Sequence, residues 1–371
     1  MGKAIRLKRE RTVRIRLEPR KAPSRLALYG APVAAIALTM LTGTILFTLM
    51  GFHGGTAVFE IFIVPLLEPQ RWPDIAVKAS PLVMIATGLA IGFRANVWNI
   101  GAEGQYIVGA IAGTGVALAT YEVDSFWVLP LMLLASVIGG AAWAAIPAFL
   151  RIRLKVSEIL TSLMLTYVAL QLLYYLVRGP WRDPEGYNFP QTRMFSEAQT
   201  VPNLLEGTQL HWGVLLTFTV VLMAWFVMSR MLSGYQVRVV GLAPMAARLG
   251  GFSERRTVLM TLLVSGALAG LAGMIECSAT FGQLTPQFPL NYGFTAIIVA
   301  FLGRLHPIGV LIGGVALAVS YIGADIAQTA SALPQAAIGL IQAMMLFFLL
   351  GVDIFVTNRV RLTPSLARHA S

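Results

Sequence analysis

Long apolar runs alternate with short polar segments along most of this chain. Runs of roughly 17–25 apolar residues are long enough to cross the hydrocarbon core of a bilayer as α-helices. The sequence predicts ten spans of this kind, at 26–50, 76–93, 105–121, 127–150, 158–178, 212–231, 257–277, 290–303, 308–326 and 334–356. The eighth is too short for a regular crossing, so we expect a re-entrant half-helix that turns at Gly303–Pro307. The predicted fold is an all-α polytopic membrane protein with broken segments.

Composition supports a membrane protein and argues against an enzyme. The chain is 57% hydrophobic and 12% charged, whereas soluble domains are about 25% charged. The single cysteine, Cys277, excludes an intrachain disulfide, and the four histidines show no ligand spacing, so we expect no metal and no cofactor in this chain. No phosphate-binding loop and no metalloprotease motif is present. If ATP drives this protein, we expect a separate subunit to hydrolyse it.

The distribution of charge predicts the orientation in the membrane. Of the 28 Lys and Arg residues, all but five fall on one side of the predicted spans. Because basic residues accumulate in cytoplasmic loops, both termini are predicted to lie in the cytoplasm. The net charge of +11 is therefore explained by orientation and anionic lipid rather than by nucleic acid. The five exceptions are Arg71, Lys78, Arg178, Arg182 and Arg193.

These observations divide the chain into three parts. Residues 1–25 form a basic cytoplasmic segment, residues 26–356 the transmembrane domain, and residues 357–371 a cytoplasmic tail that we expect to be disordered. The outer loop, 179–211, carries the aromatic residues Trp181, Tyr187 and Phe189. The inner loop, 232–256, contains Pro244–Leu249, which can form a short helix because Pro suits its first position and Gly250 its end.

A polar, glycine-broken segment, Asn96–Gln105, lies between two apolar runs. Irregular backbone at membrane depth must be buried in protein or line a wet cavity. The sequence therefore predicts that this segment handles a polar solute, with candidate path residues Asn96, Trp98, Asn99, Glu103 and Gln105.

Structural alternatives remain open for the ionisable and aromatic candidates. Glu103 can instead cap the helix that starts near Gln105 or pair with Arg94, and Trp98 can pack rather than stack on a planar solute. Glu158, in a first helical turn, is expected to complement the helix dipole. Glu276 and Asp325 lie near the outer ends of their spans, where water can reach them. A structural role is at least as well supported for them as a functional one.

Four blocks of the sequence resemble the permeases of ATP-binding-cassette (ABC) importers from the branched-chain amino acid and simple-sugar superfamily. The block from Gly92 to Gln105 is similar to the signature of the nucleoside (guanosine-type) importer subgroup. The other blocks run from Arg238 to Gly250, from Ser265 to Gly273 with Glu276, and from Tyr292 to Pro307. The resemblance covers nearly all of residues 75–356.

The resemblance implies a function and a set of partners. It implies a multi-pass permease of a bacterial inner (plasma) membrane that imports a small polar solute, with a nucleoside preferred and a simple sugar as the alternative. It also implies an ABC ATPase, a second permease in a heterodimer, and an extracytoplasmic solute-binding protein that docks on the outer loop. The residues implied in coupling to the ATPase are Gly241, Pro244, Ala246, Ala247, Arg248 and Gly250. A remote alternative is an ion-coupled secondary transporter, which is expected to place carboxylates at mid-membrane in paired broken helices.

Overall fold

A computed structural model describes residues 11–19 and 25–366 of the chain. They divide into two compact units, and each is described by itself. The larger unit is Gly55–Gln335, and the smaller unit comprises the described residues of Met1–Gly54 and Ala336–Ser371.

The described residues are mostly helical, as predicted. The helices in chain order are α1 (Arg25–Leu49), α2 (Gly54–Phe62), α3 (Val64–Leu67), α4 (Trp72–Arg94), α5 (Ala102–Ala119), α6 (Val128–Phe149), α7 (Glu158–Arg178), α8 (Trp212–Arg230), α9 (Leu232–Leu242), α10 (Pro244–Leu249), α11 (Glu254–Glu276), α12 (Tyr292–Leu302), α13 (Pro307–Ser331) and α14 (Gln335–Thr357). Each of the ten predicted spans corresponds to one of the helices α1, α4 to α8 and α11 to α14. Seven helical segments of the described chain are long and apolar enough to cross a membrane.

The interior of the larger unit is built around α4 and α11. Most of each of these two helices is buried, whereas α6, α7 and α8 leave most of their surface exposed. Helix α4 packs against α8, α11, α12 and α13, and α5 packs between α6, α7 and α11. The exposed outer helices are apolar, which is the pattern expected where lipid rather than water surrounds the protein.

Glycine allows α6 and α11 to approach closely. A Cβ added to Gly140 would collide with the carbonyl oxygen of Gly266, and one added to Gly270 would collide with the carbonyl oxygen of Ser136. Small residues let transmembrane helices approach to backbone contact, where van der Waals packing is strongest. Gly266 and Gly270 therefore serve close helix packing.

Helix α12 is the predicted half-helix. Its 11 residues span about 16 Å at 1.5 Å per residue, roughly half of a bilayer core. It is preceded by a π-helical turn, Cys277–Phe281, that ends at Gly282 in the left-handed conformation (φ +68°). It is followed by the predicted turn, in which Leu305 N donates to Ala300 O at 2.8 Å.

The smaller unit contains a two-stranded ribbon that the sequence analysis missed. Strand β1 (Arg11–Pro19) pairs antiparallel with strand β2 (Asn358–Leu366), so that Arg11 lies opposite Leu366 and Pro19 opposite Asn358. The expectation of a disordered tail is therefore wrong for the residues up to Leu366. The remainder of the predicted N-terminal segment and tail, residues 1–10, 20–24 and 367–371, lies outside the described residues.

Candidate functional site

Helix α4 ends at Arg94, and seven residues of irregular backbone, 95–101, lead into α5; we call them the break. Asn96 has a positive φ of 57°, which turns the chain sharply after the helix. Ala95 and Val97 are buried in a small apolar cluster with Ala148, Val258 and Leu262. The break is therefore fixed by packing against α6 and α11.

Two amides of the predicted path bond to each other inside the protein. Asn99 Nδ2 donates to Gln105 Oε1 at 2.7 Å, and Gln105 Nε2 donates to Asn99 Oδ1 at 3.0 Å. Asn99 Nδ2 also donates to Ser265 Oγ on α11 at 2.9 Å. Both amide side chains are 1% exposed. Reciprocal bonds of this kind satisfy buried polar groups where no water is available.

Glu103 and Gln105 lie in the first turn of α5 rather than in the irregular backbone predicted for Asn96–Gln105, and Glu103 joins this turn to the half-helix α12. Its carboxylate accepts a hydrogen bond from Asn291 N at 3.0 Å and one from Gly293 N at 2.6 Å. These are among the unsatisfied donors at the N-terminus of α12, where the helix dipole favours a negative charge. Gly293 permits the approach, since a Cβ there would collide with the backbone nitrogen of Glu103. Glu103 therefore caps a helix, as one alternative held, but the helix is α12 and not its own.

Trp98 packs against two other aromatic rings. Its ring centroid lies 5.0 Å from that of Phe93 and 6.0 Å from that of Phe301. Its indole nitrogen donates to Asn96 Oδ1 at 3.1 Å. Asn96 itself is exposed and lines a cavity of about 510 Å³ that also contacts Arg238 and Gly241 of α9.

The inner loop forms α9 and α10 and contacts the end of α4. A Cβ added to Gly241 would collide with the Arg94 carbonyl oxygen, so only glycine allows this approach. Pro244 occupies the first turn of α10 and Gly250 follows its end, as predicted. Ala247 is buried, whereas Ala246 and Arg248 are exposed, and Arg248 pairs with Glu254 at 2.6 Å.

The apolar surface of this loop was not predicted from the sequence. Leu249 is 92% exposed and Met245 73%, and Leu242 at the end of α9 is also exposed. Large apolar side chains on a loop that is predicted to face the cytoplasm indicate a protein contact. The signal available in the sequence was that Met245 and Leu249 lie in the predicted short helix Pro244–Leu249.

Glu158 links the break to the inner end of α6. Its Oε1 accepts from the backbone nitrogen of Trp98 at 3.3 Å and forms an ion pair with Arg151. A cavity of about 710 Å³ adjoins this pair and is lined by basic residues, among them Lys155, Arg248 and Arg255. Glu158 thus does more than complement the dipole of α7, and no side-chain bond from Ser157 caps that helix.

The outer loop holds its three predicted aromatic residues in different environments. Tyr187 is 94% exposed and Phe189 is exposed as well. Trp181 is half-buried, and its ring lies against Gly115 of α5. Tyr187 and Phe189 are therefore available to a partner, while Trp181 anchors the loop.

A second polar region lies at the opposite end of the helices from the inner loop. A cavity of about 550 Å³ opens among α4, α11 and α13, and its lining includes Lys78, Glu276 and Asp325. Lys78 was predicted only as one of the five basic residues on the outer side. Its position inside a predicted span was the signal that could have drawn attention to it.

Comparisons with known proteins agree with these features. The profile of the family described as branched-chain amino acid transport system / permease component matches residues 73–350. The glucose ABC transporter permease protein TsgB13 of Haloferax volcanii is 35% identical over 358 residues, which is 94% of each chain. The guanosine ABC transporter permease protein NupP of Bacillus subtilis is 26% identical and matches 87% of this chain and 93% of its own. A second guanosine ABC transporter permease protein of Bacillus subtilis, NupQ, is 24% identical over 64% of this chain and 76% of its own.

The family profile covers about three quarters of the sequence, and the apolar helices provide the membrane-spanning scaffold that a permease requires. Relatives of this kind are transport subunits, and ATP hydrolysis in their systems belongs to a separate ATPase. This chain belongs to the family of branched-chain amino acid transport system permease components and is a multi-pass permease subunit of an ABC importer.

Proposed function

We propose that this chain imports a nucleoside across the inner membrane of a bacterium, as one of two different permease subunits. The observation that supports a nucleoside as the solute is the similarity to the guanosine permease NupP over 87% of this chain. The match to NupQ, a second guanosine permease from the same organism, supports a heterodimer. An extracytoplasmic binding protein delivers the solute in this scheme.

A simple sugar is the second candidate solute. The glucose permease TsgB13 shares 35% identity over 94% of this chain, a higher identity than NupP shows. Nucleosides and hexoses both present hydroxyl groups on a saturated ring, so a permease path suited to one contains much of the chemistry needed for the other.

Uptake by the whole transporter distinguishes the two solutes. The chain is reconstituted in proteoliposomes with its ATPase, the second permease and the binding protein, and entry of radiolabelled guanosine and glucose is measured. We expect ATP-dependent guanosine uptake that unlabelled nucleosides inhibit and glucose does not. Uptake of glucose alone would establish the second candidate. Uptake that persists with an inactive ATPase would instead indicate an ion-coupled secondary transporter.

The inner loop is proposed to transmit the motion of the ATPase to the membrane domain. Gly241, Pro244, Ala246, Ala247, Arg248 and Gly250 form or support the short helix α10, whose exposed apolar side chains suit a protein contact. The close approach of Gly241 to Arg94 supports this role, because a displacement of α9 would reach the break directly.

The outer loop is proposed to receive the binding protein. Tyr187 and Phe189 offer exposed aromatic surface, which is enriched at protein interfaces, and Trp181 holds the loop against α5. The break remains the proposed solute path in another state of the transport cycle. Transport that is unchanged by Trp98→Ala and by Asn99→Ala would contradict that proposal.

A further inference from the structure

The outer cavity among α4, α11 and α13 has the size and the position of a solute site. Its volume of about 550 Å³ falls in the range of roughly 300–1,000 Å³ that is typical of small-molecule pockets. Arg71 immediately precedes α4, Asp74 lies in its first turn, and Gln209 of the outer loop also lines the cavity. The cavity is therefore formed at the end of the helix bundle on which the outer loop lies.

Glu276 is the buried carboxylate of this cavity. It is 2% exposed and lies at the end of α11, where the π-helical turn begins. Thr280 is the neighbouring side chain placed to donate to it, and within the described part of the chain no Lys or Arg forms an ion pair with it. A buried carboxylate with one side-chain donor retains free acceptor positions, since an ionised carboxylate offers about four.

Lys78 is held beside this carboxylate by two aromatic rings. Its ammonium lies 5.4 Å from the centroid of Tyr292 and 5.7 Å from that of Tyr321, distances at which a cation is attracted to a ring face. It acts electrostatically on both Glu276 and Asp325. The half-buried donor Lys78 thus shares the lining of this cavity with a buried acceptor, Glu276, and an exposed one, Asp325.

Tyr292 adds an independent observation. Its side chain is 1% exposed, and its hydroxyl has no hydrogen-bond partner among the residues that the structure describes. An unpaired buried polar group costs about 1–3 kcal/mol. This hydroxyl belongs to the residue whose ring faces the Lys78 ammonium, so an unsatisfied polar group lies beside the cavity.

We propose that this cavity binds the hydroxylated ring of the transported solute, with Glu276 and Asp325 accepting from neighbouring hydroxyls and Lys78 donating to a ring or hydroxyl oxygen. The ribose of a nucleoside and a hexose share this chemistry. The inference rests on the proposed import of such a solute, but it places recognition at the outer end of the helices rather than at the break.

The test compares hydroxylated solutes with their deoxy analogues in the complete transporter. Initial uptake of guanosine, 2′-deoxyguanosine, glucose and 2-deoxyglucose is measured with the unaltered chain, with Glu276→Gln and with Asp325→Asn. We expect Glu276→Gln to lower uptake of the hydroxylated solute by about tenfold or more, because a site built to bond a hydroxyl discriminates through that bond. We also expect it to reduce the preference for the hydroxylated form over the deoxy form.

Asp325→Asn keeps the test informative if Glu276→Gln fails to fold, since Asp325 is exposed at the cavity mouth. The matched control is Glu122→Gln, an exposed carboxylate outside the cavity, which is expected to leave both rate and preference unchanged. ATP hydrolysis without binding protein reports whether each complex is intact. A hydroxyl preference that is unchanged in both cavity variants would overturn the inference. Transport of glucose but of no nucleoside would refute the proposed solute. The inference about the cavity would then be tested by the preference for glucose over 2-deoxyglucose.

Discussion

At the scale of single residues, the break is maintained by polar side chains that bond within the protein. Asn99 and Gln105 bond to each other, and Glu103 bonds to the backbone of α12. A polar residue in a membrane segment is costly unless it finds such partners. In the conformation described here, these side chains therefore maintain the shape of the break. Contact between them and the solute would belong to another conformation of the transport cycle.

The reciprocal amide bonds predict a non-additive effect on stability. Asn99→Ala leaves the buried Gln105 amide without its partner, and Gln105→Ala leaves the Asn99 amide with only its bond to Ser265. Each is expected to lower the free energy of unfolding by about 1–3 kcal/mol. The double variant should lose less than the sum, by about 0.5–3 kcal/mol, because the second change removes the stranded group. Unfolding in detergent with increasing denaturant measures this.

Thr114→Ala serves as the control for this comparison of single and double variants. Thr114 is buried, but its hydroxyl contacts Cys277 and neither amide. Its effect should add to that of Asn99→Ala. If the effects of Asn99→Ala and Gln105→Ala also added in the double variant, the two amides would not be coupled as proposed.

His211 makes the stability of the outer loop depend on pH. Its Nδ1 accepts from Gly213 N at 3.2 Å at the start of α8, and burial lowers the pKa of this side chain below 6.5. Because the unfolded chain then takes up the proton first, stability is retained above pH 6.5 and falls as pH decreases through the folded pKa. The thermal midpoint of the purified protein should decrease over this window.

His211→Asn should abolish that dependence, since Asn also accepts at a helix N-cap but does not titrate. His53→Asn alters an exposed histidine and is expected to leave the pH dependence of stability unchanged. A pH dependence that survives His211→Asn would contradict the assignment.

At the scale of elements, α10 presents its apolar side chains outward. Leu249→Ser or Met245→Ser should weaken association with the ATPase by about tenfold, since buried apolar anchors at interface centres carry about 1–2 kcal/mol or more. Copurification of the ATPase and ATP hydrolysis stimulated by the loaded binding protein measure this. Leu232→Ser, at an exposed apolar position at the start of α9, is the matched control. Equal losses in all three variants would argue against α10 as the contact.

The elements also show what the sequence can predict and what it cannot. Apolar length determines membrane helices, so all ten predicted spans have a helix, including the half-helix α12. The ribbon was missed although Val13, Ile15 and Leu17 alternate with polar residues, which is the period of a strand. The partners of Glu103 and Lys78 are distant in sequence, and no local periodicity encodes which distant backbone or ring a buried charge will meet.

At the scale of the whole molecule, the charge distribution and the fold predict which surfaces face the two aqueous compartments. Cys277 is the single cysteine and is buried, so Cys277→Ala provides a background without thiols. Tyr187→Cys in this background should react with a membrane-impermeant maleimide in intact cells. Leu249→Cys should react only after the membrane is permeabilised. The reverse pattern would invert the predicted topology.

The bond between Glu103 and Gly293 also constrains how the protein is made. The two residues are 190 positions apart, so at about 5–20 residues per second the carboxylate waits roughly 10–40 s for its partner to be synthesised. During that interval α5 carries a polar group without the helix end that accommodates it. The first half of the permease therefore reaches its native packing only after α12 has been inserted, and a chain truncated before Tyr292 should be recognised by the cell as unfinished and degraded.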